Sequence, residues 1–395
     1  SPPCCAAPEP MEITWLRGNA LRLLENGTEF FPALETAIDG ATTEIFVETY
    51  IFANDEAGHR IAAALRRAAA RGVHVRLLVD GFGGRDFVEH LLDPLAARVH
   101  VQIYRREVAR LSLRRHRLRR LHRKIALVDG RIAFVGGINI HSDLDEPSFA
   151  GPRLDYSVRI EGPLLAPIHR TVTHVWQLVA WASFRRRWPL AFAPLPPPGA
   201  PGGIEAGFLI RDNLRHRRDI EDAYLAAIAG ARSEILLANA YFLPGRRFRQ
   251  ALLEAGRRGV RVTLLTQGWT DHPLQQYATR ALYGQFLAGG VRIFEYHRSH
   301  LHAKVAVVDG YWATVGSSNI DPFSLLLARE ANVFVRDAGF AGHLQAHLAR
   351  AMRAGAREIS PDAWQRGSPL RRLLNWAAYG LVRLMIGIAG YGNRH

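Results

Sequence analysis

Short apolar runs alternate with helical stretches along the chain. The runs are rich in Val, Ile and Leu and bounded by polar residues, which is typical of strands buried in a sheet. They occupy residues 45–51, 75–79, 125–128, 132–135, 235–238, 260–265, 305–308 and 312–315. Stretches such as 57–71 and 246–258 have the spacing of helices. This alternation predicts an α/β fold, with helices flanking a mostly buried sheet.

The second half of the chain repeats the first. The segment LHRKIALVDG at 121–130 reappears as LHAKVAVVDG at 301–310. Three more segments have counterparts in the same order: TEIFVETYIF (43–52) with SEILLANAYF (233–242), RGVHVRLLVDG (71–81) with RGVRVTLLTQG (258–268), and IAFVGGINI (132–140) with WATVGSSNI (312–320). The chain is therefore predicted to contain two copies of one unit.

A stretch rich in Pro and Gly at 195–203 separates the copies and has the composition of a linker. We divide the chain into an N-terminal tail (1–11), a first domain (12–194), the linker (195–203), a second domain (204–355) and a C-terminal tail (356–395). The C-terminal tail has no counterpart in the first half. No apolar run near the N-terminus is long enough for a signal peptide or a membrane span.

The composition is that of a globular protein with a large excess of positive charge. Among 395 residues, 48% are hydrophobic and 22% charged, which excludes disordered and fibrous classes. The two cysteines, Cys4 and Cys5, can form neither a disulfide framework nor a four-ligand zinc site. The formal net charge of +15 favours a polyanionic partner, either nucleic acid or an anionic membrane surface. The alternative is a basic enzyme without such a partner.

The chain has only two lysines, Lys124 and Lys304, among 51 Lys and Arg residues. Both lie in the repeated motif, two residues after His122 and His302. Side chains two residues apart on a strand project to one face, so each copy presents an imidazole and an ammonium group together. A compact ammonium is suited to gripping one small anion.

Two such units facing each other would place two imidazoles around one phosphoryl group. One histidine could attack phosphorus while the other protonates the leaving alcohol. Lysine and asparagine donors could neutralise the non-bridging oxygens without a metal. The alternative is a duplicated fold in which the motif is only structural.

These motifs resemble the signature of the phospholipase D superfamily, a duplicated H-x-K-x4-D followed by G-S or G-G, any residue and Asn. Within it, the chain is similar to the bacterial cardiolipin synthases of the B type, from about residue 12 to 355. Matching segments include EIFVETYIF (44–52), DYSVRIEGP (155–163) and the run at 301–333. The resemblance implies a duplicated phospholipase D fold, two pseudo-twofold-related α-β-α units with the active site at their interface. It also implies a phosphohistidine intermediate and no metal or other cofactor.

The resemblance assigns roles to the matching residues. The catalytic set comprises His122, Lys124, Asp129, His302, Lys304 and Asp309. His122 is assigned as the nucleophile, and the two aspartates are expected mainly to stabilise local structure. The predicted substrate-binding set comprises Asn139, Asn319, Ser317, Gly136 and Gly316. A downstream acid in each half is expected to orient the histidine, and Asp155 and Glu330 match that position. Gly136-Gly137 replaces the Gly-Ser of many relatives, an asymmetry that indicates different tasks for the two halves.

Two segments favour contact with a membrane. Residues 105–123 form a basic stretch with interleaved leucines, which could seat anionic headgroups or be a solvated hairpin; we favour the first. The run 369–391 has its leucines on one helical face, with Arg371, Arg372 and Arg383 off it. We expect an interfacial helix here, with docking onto the protein's own core as the alternative.

The implied function is that of a peripheral enzyme of the bacterial cell membrane. It would transfer phosphatidyl from one phosphatidylglycerol to another, releasing glycerol and forming cardiolipin. Phosphatidylethanolamine as donor, another alcohol as acceptor, and hydrolysis by water are left open, as is the oligomeric state. A nucleic-acid phosphodiesterase is less favoured, because a soluble nuclease needs neither the apolar C-terminal face nor the leucine-rich basic stretch. No nucleic-acid partner is therefore expected. A non-catalytic scaffold would require both histidines to be dispensable.

Overall fold

The computed structural model describes residues 13–105, 120–143, 151–183, 192–197, 199–212, 216–269, 273–321 and 328–386. The N-terminal tail 1–11, most of the basic stretch 105–123 and the end of the run 369–391 lie outside these residues.

The first half contains eight of the described strands. They are β1 (Leu16–Glu25), β2 (Glu44–Thr49), β3 (His74–Asp80), β4 (His100–Tyr104), β5 (Arg120–Leu121), β6 (Lys124–Val128), β7 (Ile132–Gly136) and β8 (Tyr156–Glu161). The helices are α1 (Asn26–Asp39), α2 (Glu56–Ala70), α3 (Arg85–His90), α4 (Leu92–Ala96) and α5 (Leu165–Ala182). The start of α2 is capped by the Asp55 carboxylate, which accepts a hydrogen bond from the Gly58 N–H.

The second half has matching strands and helices. The strands are β9 (Ile204–Arg211), β10 (Glu234–Asn239), β11 (Arg261–Gln267), β12 (Arg292–Tyr296), β13 (Lys304–Val308), β14 (Trp312–Gly316), β15 (Ala328–Arg336) and β16 (Ala356–Glu358). The helices are α6 (Asp219–Gly230), α7 (Arg246–Arg257), α8 (Pro273–Ala281), α9 (Tyr283–Ala288), α10 (Ala338–Gly355), α11 (Pro361–Gln365) and α12 (Pro369–Ile386). Every strand and helix predicted from the apolar pattern is found, with its ends shifted by one or two residues.

The strand order of one half mirrors that of the other. It runs β4-β3-β2-β6-β7-β8-β1 in the first half and continues β9-β15-β14-β13-β10-β11-β12-β16 in the second. The first strands of the two halves, β1 and β9, pair antiparallel and join the halves. The short strand β5 pairs with β15 of the other half. The predicted duplicated α/β fold with pseudo-twofold symmetry is confirmed.

The buried side chains form three cores that define five layers. One core joins strands of both halves to the middle helices α5 and α10, through residues such as Val172, Leu344 and Val315. A second packs α1 to α4 against the outer face of the first half. A third packs α6 to α9 and α12 against the outer face of the second half. The order of layers is therefore helix, sheet, helix, sheet, helix.

The C-terminal segment packs onto the second half. Strand β16 pairs with β12, and α12 lies against α8 through Ala378 and Val382. The opposite face of α12, which carries the leucines singled out in the sequence, is exposed. Docking onto the protein's own core therefore applies to one face, and the interfacial role of the exposed face stays a prediction. Among the described residues, no helix has the length and apolar content needed to cross a membrane.

Candidate active site

Each repeated motif enters a central strand of its half. Lys124 is the first residue of β6 and Lys304 the first of β13, with the histidines two residues earlier. The next strand returns antiparallel, so Lys124 lies opposite Gly136. The turn that follows Gly136 therefore lies at the same end of the sheet as the histidine, as the sequence predicts.

Hydrogen bonds hold each motif to the other half. The His122 N–H donates to the Arg329 carbonyl at 3.0 Å, and the His302 N–H donates to the Leu154 carbonyl at 2.9 Å. Arg329 and Leu154 directly precede the orienting acids Glu330 and Asp155. The two motifs therefore meet at the interface between the halves.

The histidine–carboxylate pairs cross this interface. His122 Nδ1 lies 3.0 and 3.1 Å from the two carboxylate oxygens of Glu330, and His302 Nδ1 lies 2.6 Å from Asp155 Oδ2. Each histidine is thus held by the acid of the opposite half. A carboxylate on Nδ1 fixes the tautomer that leaves the Nε2 lone pair for chemistry.

The two lysines lie deep in the site. Lys304 is fully buried and Lys124 is 5% exposed. Each Nζ donates to the carbonyl of the histidine in its own motif. Burial lowers the pKa of Lys124 to about 7 and that of Lys304 to about 8. An anion bound beside them would restore their charge, so both amines are suited to grip a phosphodiester.

The surroundings of the two carboxylates differ. Glu330 accepts a hydrogen bond from the Ser317 hydroxyl, and its Oε1 lies 3.5 Å from Nη2 of the buried Arg211. At the equivalent positions around Asp155 stand Gly137 and Asn26, which supply neither a hydroxyl nor a guanidinium. A Cβ at Gly137 would lie 2.2 Å from Asp155 Oδ1, so this carboxylate occupies the space of the missing side chain.

These contacts set the two acids apart electrostatically. Burial raises the pKa of Asp155 to about 7. Burial also raises the pKa of Glu330, but the charge and hydrogen bond of His122 and the charge of Arg211 outweigh it, and the pKa falls below its ordinary value. Burial lowers the pKa of both histidines, that of His302 most strongly. Glu330 is therefore a fixed anion, whereas Asp155 can share a proton.

The predicted substrate-binding residues take different positions. Asn139 Oδ1 accepts from the Ile51 N–H at 3.2 Å, whereas the buried Asn319 Oδ1 has no hydrogen-bond partner among the described residues. Gly136 ends β7 beside β8, the strand that follows Asp155, and Gly316 ends β14 beside β15, which contains Glu330. The Ser317 hydroxyl donates to Glu330 and so holds the acid, and the phosphate contact predicted for it stays a prediction.

Asp129 and Asp309 lie at the far ends of their strands. The Asp129 carboxylate accepts from the N–H groups of residues 42–44, and Asp309 accepts from those of residues 232–234. Both have a left-handed backbone, with φ of 52° and 51°. Their carboxylates therefore hold a turn at the end of the strand away from the histidines. The structural role implied by the resemblance fits this geometry.

Sequence reasoning missed Arg211 and Tyr50. The Tyr50 ring packs edge-on against the His122 ring, with centroids 4.9 Å apart, and Lys124 Nζ lies 5.5 Å from its centre. In the aligned repeats, Ala240 stands at the position of Tyr50. This difference in size between matched positions is a signal in the sequence that could have identified Tyr50. Within the described residues no group of three or more His, Cys, Asp or Glu side chains is arranged to hold a metal.

Comparisons with known proteins give matches over most of the chain. The family described as cardiolipin synthase, phospholipase D-like domain, matches residues 34–145 and 224–352. Cardiolipin synthase B of Escherichia coli K12 is 41% identical over 352 residues, covering 88% of this chain and 84% of that protein. Cardiolipin synthase A of Erwinia tasmaniensis is 31% identical over 376 residues, covering 90% and 74%.

A solved structure matches at the level of the fold. The phosphatidylserine synthase of Haemophilus influenzae superposes with a TM-score of 0.68 at 14% identity, covering 94% of this chain and 95% of that one. At this identity the likeness concerns the fold alone.

Proposed function

Because the chain belongs to the cardiolipin synthase family of phospholipase D-like proteins, we propose that it transfers a phosphatidyl group between two phosphatidylglycerol molecules. The products would be cardiolipin and glycerol, and the phosphatidyl group would be carried on a histidine. The observation that carries this proposal is the pair of crossed histidine–carboxylate contacts, with two buried lysines beside them.

The first half of the reaction releases glycerol. The Nε2 lone pair of His122 attacks phosphorus and the bond from phosphorus to the glycerol headgroup oxygen breaks. His302 donates its Nε2 proton to that oxygen, and glycerol leaves as a neutral alcohol. Lys124 and Lys304 neutralise charge on the non-bridging oxygens, with Asn139 and Asn319 as further binding groups. His302 receives its proton once the anionic substrate raises its low pKa.

The second half forms the product. A hydroxyl of a second phosphatidylglycerol gives its proton to the neutral His302 as its oxygen attacks phosphorus. The bond between phosphorus and His122 Nε2 breaks, and both histidines return to their starting states. Water at the same place would give phosphatidic acid, so transfer depends on a lipid alcohol reaching the site first.

The different surroundings of the two acids support His122 as the nucleophile. A phosphorylated imidazole with a proton on Nδ1 carries positive charge, which a fixed carboxylate stabilises best. Glu330, whose pKa is lowered by His122 itself and by the charges of Arg211 and Lys124, and which accepts a hydrogen bond from Ser317, is that partner. Asp155 shares a proton more readily, which suits a histidine that must gain and lose one.

The exposed face of α12 supports peripheral association with a bacterial membrane. Leu370, Leu373 and Leu384 are each more than half exposed, beside Trp376, while Arg371, Arg372 and Arg383 lie off this face. An apolar face with basic flanks is the pattern of a helix lying in the interface of an anionic bilayer.

The decisive test is lipid analysis after incubation of the purified protein with phosphatidylglycerol vesicles. Cardiolipin and glycerol in equal amounts are expected, unaffected by EDTA, with turnover abolished in His122→Ala and crippled in His302→Ala. Rapid acid-free quenching should trap labelled phosphatidyl on His122. Formation of phosphatidic acid alone would indicate a hydrolase. A product that forms only when phosphatidylethanolamine is present would indicate a different donor. Cleavage of DNA without lipid turnover would overturn the proposal.

A further inference from the structure

The residue before each reacting histidine is held by a side chain of its own half. The Leu121 N–H donates to Asp80 Oδ2 at 2.8 Å, and the Leu301 N–H donates to Gln267 Oε1 at 2.7 Å. Asp80 is the last residue of β3, and Gln267 is the last residue of β11. The two residues stand at the same position of the aligned segments RGVHVRLLVDG and RGVRVTLLTQG. The two contacts are therefore equivalent in the two halves.

The neighbouring backbone groups of the second motif are bound to the opposite half. The His302 N–H donates to the Leu154 carbonyl, and the His300 carbonyl accepts from the Leu154 N–H, both at 2.9 Å. Successive N–H groups of an extended segment point to opposite sides, so the Leu301 N–H points back into its own half. The acceptor that it meets there is the side chain of Gln267.

The first motif is arranged in the same way. The His122 N–H donates to the Arg329 carbonyl of the opposite half at 3.0 Å, whereas the preceding N–H, that of Leu121, donates to Asp80. The opposite half also supplies the carboxylate on Nδ1 of each histidine. The side-chain acceptor of its own half therefore fixes how each histidine sits against that carboxylate.

The two acceptors are buried, so their loss cannot be made good by water. Asp80 is fully buried and Gln267 is 5% exposed. A buried N–H left without an acceptor costs free energy, or the backbone moves until another acceptor is found. The Nε2 of Gln267 has no hydrogen-bond partner among the described residues, so only the oxygen of this amide is used. A carboxylate in one half and an amide in the other indicate that the position must supply an oxygen acceptor.

We propose that Asp80 and Gln267 are positioning residues for the reaction, each placing one histidine through the peptide N–H before it. Asp80 places His122 for attack on phosphorus, and Gln267 places His302 for proton transfer. These two roles rest on the proposed function. A misplacement of about 1 Å can cost about 100-fold in rate, so loss of either contact should lower kcat without a matching change in KM.

Gln267 gives the cleaner test of the two. The Oδ1 of Asp80 also accepts from the N–H groups of Phe82 and Gly83, at 2.9 and 3.2 Å. A change at Asp80 therefore disturbs the turn after β3 as well as the contact to Leu121. The hydrogen bond to Leu301 is the only one that the Gln267 side chain makes to a described residue.

The first experiment removes the acceptor at Gln267 while keeping most of the volume. Gln267→Met should lower kcat for transfer between dispersed short-chain phosphatidylglycerol molecules about 10- to 100-fold, with KM within about threefold. Gln267→Glu keeps an acceptor oxygen and should recover kcat to within about fivefold of the unaltered protein. A glutamate variant no more active than the methionine variant would overturn the role of the acceptor.

Asn19→Leu is the matched control for loss of a buried amide acceptor. Asn19 is fully buried, and its Oδ1 accepts from the Leu164 N–H at 2.8 Å, at the end of β1 and β8 remote from Asp155. Its Nδ2 also donates to the Leu16 carbonyl, so urea unfolding should show at least as large a loss of stability as in Gln267→Met. Its kcat should stay within about threefold of normal. Equal kcat losses in the two variants would show a purely structural role and overturn the proposal.

The second experiment separates the two histidines by using the p-nitrophenyl ester of a short-chain phosphatidic acid. Attack by His122 breaks the bond from phosphorus to the phenol oxygen, and p-nitrophenolate leaves without a proton from His302. Its release in a single turnover should therefore stay within about threefold of normal in Gln267→Met. In Asp80→Asn, which leaves one oxygen for three N–H groups, release should fall about 10-fold. Equal losses in the two variants would overturn the assignment of one histidine to each residue.

The ester also keeps this proposal apart from the proposed function. Failure of the unaltered protein to form cardiolipin from phosphatidylglycerol would refute the function. Release of p-nitrophenolate needs only the histidine site, so the comparison of Gln267→Met with Asp80→Asn would still decide whether these residues position the histidines. A loss in Gln267→Met alone would support both contacts and refute His122 as the nucleophile.

Discussion

Replacing Arg211 with methionine tests whether Glu330 must be held as a fixed anion. Arg211 lies on β9 directly opposite Glu330 and is 1% exposed. Its Nη2 is 3.5 Å from Glu330 Oε1, and its guanidinium nitrogens make no hydrogen bond to a described residue. The interaction is therefore Coulombic, and methionine removes the charge while keeping most of the volume.

Two opposing effects set the size of the stability change. Removing one partner of a buried ion pair costs about 3–5 kcal/mol when the remaining charge is left unpaired. Glu330 keeps His122 and the Ser317 hydroxyl, and the variant no longer buries a guanidinium without hydrogen bonds. We therefore expect Arg211→Met to lower the free energy of unfolding by only about 1–2 kcal/mol.

Turnover should fall more than stability suggests. A group that positions a functional side chain without touching the substrate typically contributes a factor of about 10 to 100 to activity. We therefore expect kcat to drop by that factor in Arg211→Met. Lysine at this position should recover part of the loss because it restores the charge. The assay is cardiolipin formation on dispersed short-chain phosphatidylglycerol, with urea unfolding measured on the same preparations.

The chain offers a matched control in Arg123. This arginine is also 1% exposed and pairs with the buried Glu48 at 2.6 and 3.2 Å, but among the described residues Glu48 has no hydrogen bond or ion pair with a histidine. The second half has Ala303 and Ala238 at the equivalent positions, so the pair is not required by the chemistry. Arg123→Met should lose at least as much stability while keeping kcat within about threefold. Equal kcat losses in the two variants would refute a specific role for Arg211.

Four further outcomes are expected. Lys304→Arg should lower kcat/KM roughly 10- to 100-fold with the fold retained, because the site of the fully buried ammonium has no room for a guanidinium. Near-normal activity would contradict the requirement for an ammonium group at this position. Because burial lowers the pKa of Lys124 to about 7 and of Lys304 to about 8, the free site loses positive charge as pH rises through these values. Then kcat/KM should fall above about pH 8 before kcat does, because bound substrate keeps the lysines charged; a flat kcat/KM would contradict this. Burial raises the pKa of Asp309, but hydrogen bonds from the N–H groups of residues 232–234 outweigh burial and lower this pKa to about 2. The stabilisation that the charged Asp309 gives the fold is therefore present above the ordinary pKa of 3.8 and is lost as pH falls towards 2. Asp309→Asn should therefore lose about 1 kcal/mol of stability at neutral pH in urea unfolding and keep its kcat, after allowance for solvent screening. Gly137→Ala should reduce kcat at least 100-fold, because the new Cβ would displace the Asp155 carboxylate from His302; full activity would show that this carboxylate can move freely.

Much of the fold and the reacting groups could be predicted from the repeat. The apolar runs gave the central strands, and a histidine and lysine before the same strand in both copies implied that the four groups converge. The motif lies at one end of a mixed sheet whose strand order is the same in both halves, which is consistent with that expectation.

The crossed pairing could not be predicted, because it depends on contacts between the halves. His122 reaches Glu330 since β5, the two residues before it, pairs with β15 of the other half. No local pattern specifies that pairing. Arg211 was hidden for a different reason: in a chain where nearly all basic residues are arginine, only its position opposite Glu330 distinguishes it.

The differences between the halves occur in matched sets, which argues that they are functional rather than drift. A serine accompanies the longer acid Glu330, and a glycine accompanies the shorter acid Asp155, whose carboxylate fills the space that a Cβ would need. Changing one member alone therefore creates a clash or an unpartnered oxygen. Duplication of one unit gives two equivalent histidines. Transfer through a covalent intermediate, however, needs one histidine that carries the phosphatidyl group and another that donates and accepts a proton. Because each acid crosses the interface, the residues that distinguish the two histidines belong to the opposite halves, so each half sets the chemistry of the other.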